Sequence, residues 1–263
     1  MISIFSFGAN RPDFIELQMH SFRKHLREEF ELTVFNNAQF DSTGGAKYHD
    51  LHSVGKSVGV NVIDVVKIPD LMRRCQDIEP SGPVFNHQGL YTSANVAHAY
   101  ALCYAWENYI SKEKGNIAIL DSDVFLIEPL SLTEMLDPHQ MLNVPDGKPH
   151  ADGRTFRYMW PTFMLANMAT LPDAGTLNWW CGRVEDVPVD VGGQTYHYFQ
   201  SHPDLDVAHV NRKHFQEADY DEFYLTNGDK CATVLHYRSG SNWNHRGSDY
   251  HRQKTEWLKG RIG

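Results

Sequence analysis

Apolar residues recur along the first half of the chain at strand and helix periods in turn. Ile2 to Phe7 alternates apolar residues with serines and runs into Gly8-Ala9-Asn10, the pattern of a strand closing in a turn. A helix should follow. Pro12 suits its first turn, and Asp13 and Glu16 suit its N-terminal dipole. Ile15, Met19, Phe22, Leu26 and Phe30 then recur every three or four residues as one apolar stripe. Leu32 to Phe35 reads as a second strand ending at Asn36, so the opening is a β-α-β unit with a parallel strand pair. A short helix between Ala46 and Lys56 and a strand from Val60 to Val66 come next. From Ser93 to Ile110 the chain is apolar on most sides, which predicts a long helix packed against the sheet. Ile117 to Leu120 is an unbroken apolar run, the pattern of a strand buried on both faces.

Beyond Pro129 the alternation fades. Pro138 to Arg154 is polar and rich in glycine and proline, and is expected to be a mobile surface loop. Tyr158 to Ala166 is a second buried run. A short helix around Leu177 to Trp180, a turn at Asp190-Val-Gly-Gly193, a helix including Tyr196 to Phe199 and a strand from Cys231 to His236 complete the pattern. Without repeats, low-complexity tracts or a linker, the chain reads as one α/β domain around a central, mostly parallel sheet.

Composition narrows the partners. Of 263 residues, 41% are hydrophobic and 12% aromatic, enough for a substantial core. A net charge of −9 with no Lys/Arg stripe argues against nucleic acid. The four cysteines are scattered without paired spacing, which excludes a zinc ribbon and fits reduced thiols in the cytoplasm. Met1 to Phe7 lacks a basic leader and reads as a first strand rather than a signal peptide, and no apolar run reaches membrane-spanning length.

The chemistry concentrates at Asp121-Ser122-Asp123, where the Ile117–Leu120 strand ends. A buried strand cannot end in two unpaired anions without a compensating cation. Residues i and i+2 share a side of a strand, so both carboxylates can converge on one divalent ion that in turn holds a phosphorylated ligand. Taken alone, Asp-Ser-Asp is also a common turn; the buried strand before it favours the ion.

A strand leading into Asp-x-Asp after a β-α-β half resembles the GT-A fold glycosyltransferases. The segment His236-Tyr-Arg-Ser-Gly-Ser-Asn-Trp243 is similar to the His-x-x-Gly…Trp segment of retaining members such as the glycogenin and lipopolysaccharide galactosyltransferase group. The resemblance implies a Rossmann-related GT-A domain, with residues 1–127 as the nucleotide- and metal-binding half and 128–263 as the acceptor side and a closing tail. It implies a Mn²⁺ or Mg²⁺ ion held by Asp121, Asp123 and His236. The donor would be a UDP- or GDP-sugar, and the acceptor a hydroxyl, most naturally of a glycan. Gly8, Asn10, Arg11 and Asn36, at the ends of the first two strands, fall where that family binds the nucleotide. Ser122, Gly240 and Trp243 fall beside the diphosphate and sugar. In that group a lysine follows the glycine; here Ser241 and Asn242 stand there, leaving Arg238 and Arg246 as the nearby cations.

Asp190 is the candidate catalytic carboxylate, as general base or as a partner of sugar hydroxyls, with two glycines that let backbone pass close to a ligand. An ordinary Asp/Gly turn explains it equally. Trp160, Trp179 and Trp180 have the same two readings, sugar platform or core. Two other functions fit the residues: a nucleotidyltransferase acting on a sugar phosphate, and a carbohydrate-binding protein without turnover.

Overall fold

Strands and helices alternate through the first half as the periodicity predicts. The computed structural model describes residues 1–8, 11–37, 51–78, 94–216, 220–225, 234–238 and 247–263. In chain order, β1 (Ile2–Gly8), α1 (Pro12–His25), β2 (Phe30–Asn36), α2 (Leu51–Val58), β3 (Asn61–Asp64), α3 (Pro69–Ile78) and α4 (Ala94–Asn108) lead to β4 (Asn116–Asp121). Then come β5 (Val124–Leu126), α5 (Leu132–Leu136), β6 (Met141–Pro149), β7 (Thr155–Asn167), and the small hairpin β8 (Gly182–Val184) and β9 (Val187–Val189). The chain continues with α6 (Thr195–Ser201), β10 (Val207–Phe215), β11 (Tyr220–Leu225), β12 (Val234–His236) and α7 (Ser248–Ile262).

Among the described residues one large sheet has the order β3-β2-β1-β4-β7-β6-β10-β11-β12-β5. The expected parallel sheet is its first part, with β1 between β2 and β4 and β3 outside β2. Next, β7 pairs antiparallel with β4 and β6, and β10 runs parallel to β6. The strands β10, β11, β12 and β5 follow as antiparallel neighbours.

Period-two alternation divides the buried side chains of β1 and β4 between two layers. Phe5, Phe7, Ile117 and Ile119 pack with α4, which is buried nearly all round through Val96, Tyr100, Leu102 and Trp106. Ile4, Ala118 and Leu120 pack on the other face with Ile15, Met19 and Phe22 of α1. Pro12 opens α1, and Arg23, Lys24 and His25 occupy its last turn, where cations suit the helix dipole. The last helix docks beside it: His25 Nε2 lies 3.0 Å from the Ile262 carbonyl, and Leu258 and Ile262 join Phe14 and Phe125 in a third cluster. No helix among the described residues is long and apolar enough to cross a membrane.

Two expectations are overturned. Residues 138–154 are not a loop but chiefly strand β6 and the hairpin turn to β7, with the His150 N–H bonded to the Arg154 carbonyl at 2.9 Å. Met141, Leu142, Asn143 and Val144 are buried between β7 and β10, a pairing that composition alone does not reveal. The helix expected around Leu177–Trp180 is instead a single 3-10 turn at Ala174–Thr176. The carbonyls of Trp179 and Trp180 accept from Gly192 N and Gln194 N, so tertiary backbone bonds replace helical ones.

Candidate metal centre and surrounding site

Strand β1 continues outward through β2 and β3 on one side, while β4 takes the other. The carboxyl ends of β1 and β4 therefore flank the point where strand order reverses, which is where ligands bind in open α/β sheets. Phe7 stands opposite Asp121 in this pair.

Asp121 is the last residue of β4, and Asp123 precedes β5. A buried glutamine of α1 fixes the turn between them. Gln18 Nε2 donates to the Asp121 carbonyl at 2.9 Å and to the Val124 carbonyl at 3.0 Å, and its Oε1 accepts from Ser6 Oγ at 2.9 Å. Ser122 is buried within the turn.

Each carboxylate has partners from distant elements. Thr162 Oγ1 donates to Asp121 Oδ2 at 2.9 Å. It reaches there through an irregularity in β7: Asn143 of β6 faces Met164, but Val144 faces Trp160, so residues 161–163 bulge out of that ladder. Pro161 has no N–H to contribute to a ladder, and bulges re-aim side chains in this way. His98 Nε2, from α4, stands 3.2 Å from Asp121 Oδ1 without hydrogen-bond alignment. The Asp123 carbonyl accepts from Tyr237 N at 2.8 Å, and Asp123 Oδ1 lies 3.5 Å from His236 Nε2.

Sheet register brings the histidine in. Strand β12 pairs antiparallel with β5, His236 opposite Val124, which sets the imidazole beside the carboxylate one residue earlier. The ring is buried, edge-on to Trp160 at 5.2 Å and stacked on Phe223 at 6.1 Å. One ligand atom from each of Asp121, Asp123 and His236 lies within 4.8 Å of the others. Two carboxylate oxygens and an imidazole nitrogen fit a divalent cation of hard-to-borderline character.

Behind the imidazole lies Asp221, 1% exposed, with Oδ2 3.2 Å from His236 Nδ1 and Oδ1 2.9 Å from His214 Nδ1. Arg238 Nε is 3.7 Å from Asp221 Oδ2, and Arg238 Nη1 is within 3.3 Å of the His214 ring nitrogens. Burial alone pushes the His236 imidazole down. The Asp123 charge, the Asp221 hydrogen bond and the Asp121 charge outweigh burial and hold it above the ordinary histidine value. Burial likewise pushes the Asp221 carboxyl up, but the His236 bond and the charges of His236 and Arg238 carry it below the usual carboxylate range.

The remaining expected site residues are dispersed. Gly8 ends β1 opposite Asn36, and its carbonyl accepts from Asn37 N at 2.9 Å. Asn36 Nδ2 donates to Asp64 Oδ1 at 2.8 Å, the same oxygen that lies 2.8 Å from His52 Nε2. Arg11, expected at the nucleotide, is buried instead. It makes a paired contact with Asp13 at 2.7 and 2.8 Å, donates to Thr255 Oγ1 at 3.0 Å and lies over the Phe14 ring. Asp190 Oδ1 accepts from Val191 N at 2.8 Å, and its carbonyl accepts from Gly193 N. The two glycines after it approach protein rather than open space. A Cβ on Gly192 would meet the Met159 carbonyl oxygen at 2.2 Å, and one on Gly193 would meet Val189 Cγ2 at 2.2 Å. Trp179 and Trp180 are core; Trp160 is partly exposed and carries the Arg212 guanidinium 4.7 Å over its ring. Asn10, Gly240, Trp243 and Arg246 lie outside the described residues.

Sequence reasoning missed Gln18, Thr162 and Asp221. Only Asp221 leaves a trace: in Tyr220-Asp-Glu-Phe223 it falls in phase with the inward Phe223, where a carboxylate needs a buried partner.

No family model matches the sequence, and no curated protein does. Among solved structures the chain is similar to the galactosyltransferase LgtC in complex with donor and acceptor sugar analogs, at 15% identity and a TM-score of 0.38 over 64% of this chain and 58% of that one. It is similar to the mannosyltransferase Ktr4p from S. cerevisiae at 11% identity and a TM-score of 0.41, over 64% of this chain and 56% of that one. For the apo-form glycosyltransferase GlyE of Streptococcus pneumoniae TIGR4 the identity is 12% and the TM-score 0.40, over 78% of this chain and 44% of that one. The match thus spans less than two thirds of each of these chains.

Proposed function

We propose that this chain is a metal-dependent glycosyltransferase of GT-A type, a single cytoplasmic domain that moves a sugar from a nucleotide-sugar to a hydroxyl acceptor. The observation that carries the reading is the convergence of Asp121, Asp123 and His236 at the carboxyl end of β4, beside the strand-order switch. A Mn²⁺ or Mg²⁺ ion held by these three residues would supply Lewis-acid stabilisation of the leaving nucleoside diphosphate without a proton transfer.

The chain's own residues would do the rest. Asp121, oriented by Thr162, and Asp123, fixed by the Gln18-braced turn, offer the oxygens; His236 offers Nε2. Gly8 and Asn36, on the same carboxyl edge of the sheet, would face the nucleotide of a UDP- or GDP-sugar. Asp190 would serve the acceptor. In support of that role, β7 packs against Gly192 at Met159 and contacts Asp121 through Thr162.

Thermal unfolding with UDP or GDP, with and without Mn²⁺, tests the reading together with release of free nucleoside diphosphate from a nucleotide-sugar panel. Metal-dependent stabilisation and nucleoside diphosphate release, both lost in Asp123→Asn, are expected. Pyrophosphate release would indicate a nucleotidyltransferase. Binding without any release would indicate a carbohydrate- or nucleotide-binding protein.

A further inference from the structure

Three residues from three consecutive strands stand in one row behind the metal-site imidazole. His214 of β10 is directly opposite Asp221 of β11, and Asp221 is directly opposite His236 of β12. Side chains directly opposite on antiparallel strands project from the same face, so the row is imposed by register. Its central carboxylate is 1% exposed and takes a ring nitrogen on each oxygen, at 2.9 and 3.2 Å.

An ionised carboxylate can only accept hydrogen bonds, and a neutral imidazole has one donor nitrogen and one acceptor. The contact with Asp221 therefore puts the proton of a neutral His236 on Nδ1 and leaves a lone pair on Nε2. That lone pair faces Asp123 Oδ1 at 3.5 Å. Two acceptors aimed at each other repel unless a cation lies between them.

We propose that Asp221 is the positioning residue of this site, holding the Nδ1–H tautomer of His236 so that Nε2 faces the ion shared with Asp121 and Asp123. His214 Nδ1, 2.9 Å from Asp221 Oδ1, and Arg238 Nε, 3.7 Å from Oδ2, hold the carboxylate in place. The inference rests on the divalent-ion reading above, and it identifies β11, distant in sequence from the Asp-x-Asp turn, as part of the ion site. A carboxylate behind a ligating histidine sets ring orientation and basicity in metal sites generally. A merely structural hydrogen bond would set the same tautomer, but altering it would leave Mn²⁺ affinity unchanged.

The test uses metal-free protein with ¹⁵N-labelled histidine, at a pH where the ring is neutral, with His236→Gln to assign the signal. The wild-type ring should be the Nδ1–H tautomer. Asp221→Asn keeps the shape, but its amide can turn an N–H toward Nδ1 and favour the Nε2–H form, as a triad aspartate-to-asparagine change does. That variant should shift toward Nε2–H and bind Mn²⁺ about 10–100-fold more weakly by calorimetry, with circular dichroism confirming its fold. A wild-type Nε2–H ring, or a folded Asp221→Asn with wild-type Mn²⁺ affinity, overturns the proposal. If the variant does not fold, the wild-type spectrum decides. If wild type binds no Mn²⁺, the ion reading fails, and the tautomer still rules on Asp221.

Discussion

Proton and metal should compete for His236, and the structure fixes the sign of that competition. With no ion bound, the ring lies between two carboxylates: Nε2 is 3.5 Å from Asp123 and Nδ1 is 3.2 Å from Asp221. Burial opposes the charged ring, but these neighbours more than offset it, so the folded pKa is raised from the ordinary 6.5. The folded metal-free chain thus holds a proton that the unfolded chain releases above 6.5. The stability this confers is fully present below that value and is lost as pH rises through the folded pKa. While the ring titrates, the slope is about 1.4 kcal/mol per pH unit. An ion at Nε2 must displace the same proton. Mn²⁺ affinity should therefore rise with pH by about tenfold per unit across that window, with one proton released per ion bound. Calorimetric Mn²⁺ titrations in buffers of different ionisation heat count that proton, and urea unfolding of metal-free protein follows the stability. Both are read as wild type minus His236→Gln, which removes the contributions of other histidines. Mn²⁺ binding with no His236-dependent proton release below the ordinary histidine value of 6.5, or a His236-dependent stability that grows with pH over the window, would refute the reasoning.

Three further outcomes are expected. Gln18→Leu removes the side-chain donor from the carbonyls of Asp121 and Val124, so urea unfolding should show a loss of roughly 2–6 kcal/mol, at about 1–3 per group. Gly192→Ala puts a Cβ 2.2 Å from the Met159 carbonyl oxygen at a φ of +82°, and should cost at least about 1–3 kcal/mol in the same assay. Asp190→Asn should lower sugar transfer strongly in a turnover assay while calorimetry finds near-normal nucleoside diphosphate affinity; equal loss of both would place Asp190 on the donor side or mark it as structural.

The sequence by itself determined the elements whose burial pattern is local and strong. The stripe Ile15, Met19 and Phe22, the run Ile117–Leu120 and the apolar helix α4 are each legible because their periods report which faces are buried. The same logic located Asp121 and Asp123, since two acids at the end of a doubly buried strand require compensation. Only tertiary structure decided the rest. Strand β6 reads as a loop because its Pro, Gly and Asp residues favour turns, yet pairing with β7 and β10 overrides that preference. Arg11 looks like an anion-binding residue at a strand end, but α7, far away in the chain, encloses it with Asp13. The glycines after Asp190 allow close approach, and only the packing shows that the approaching group is the Met159 carbonyl. The cluster itself depends on β12 lying beside β5, a segment far earlier in the chain, which brings its neighbour β11 to the site as well. Periodicity records whether a residue is buried, but not against what. Strand register supplies that partner, which is why Asp221, Thr162 and Gln18 enter the site only once the sheet is assembled.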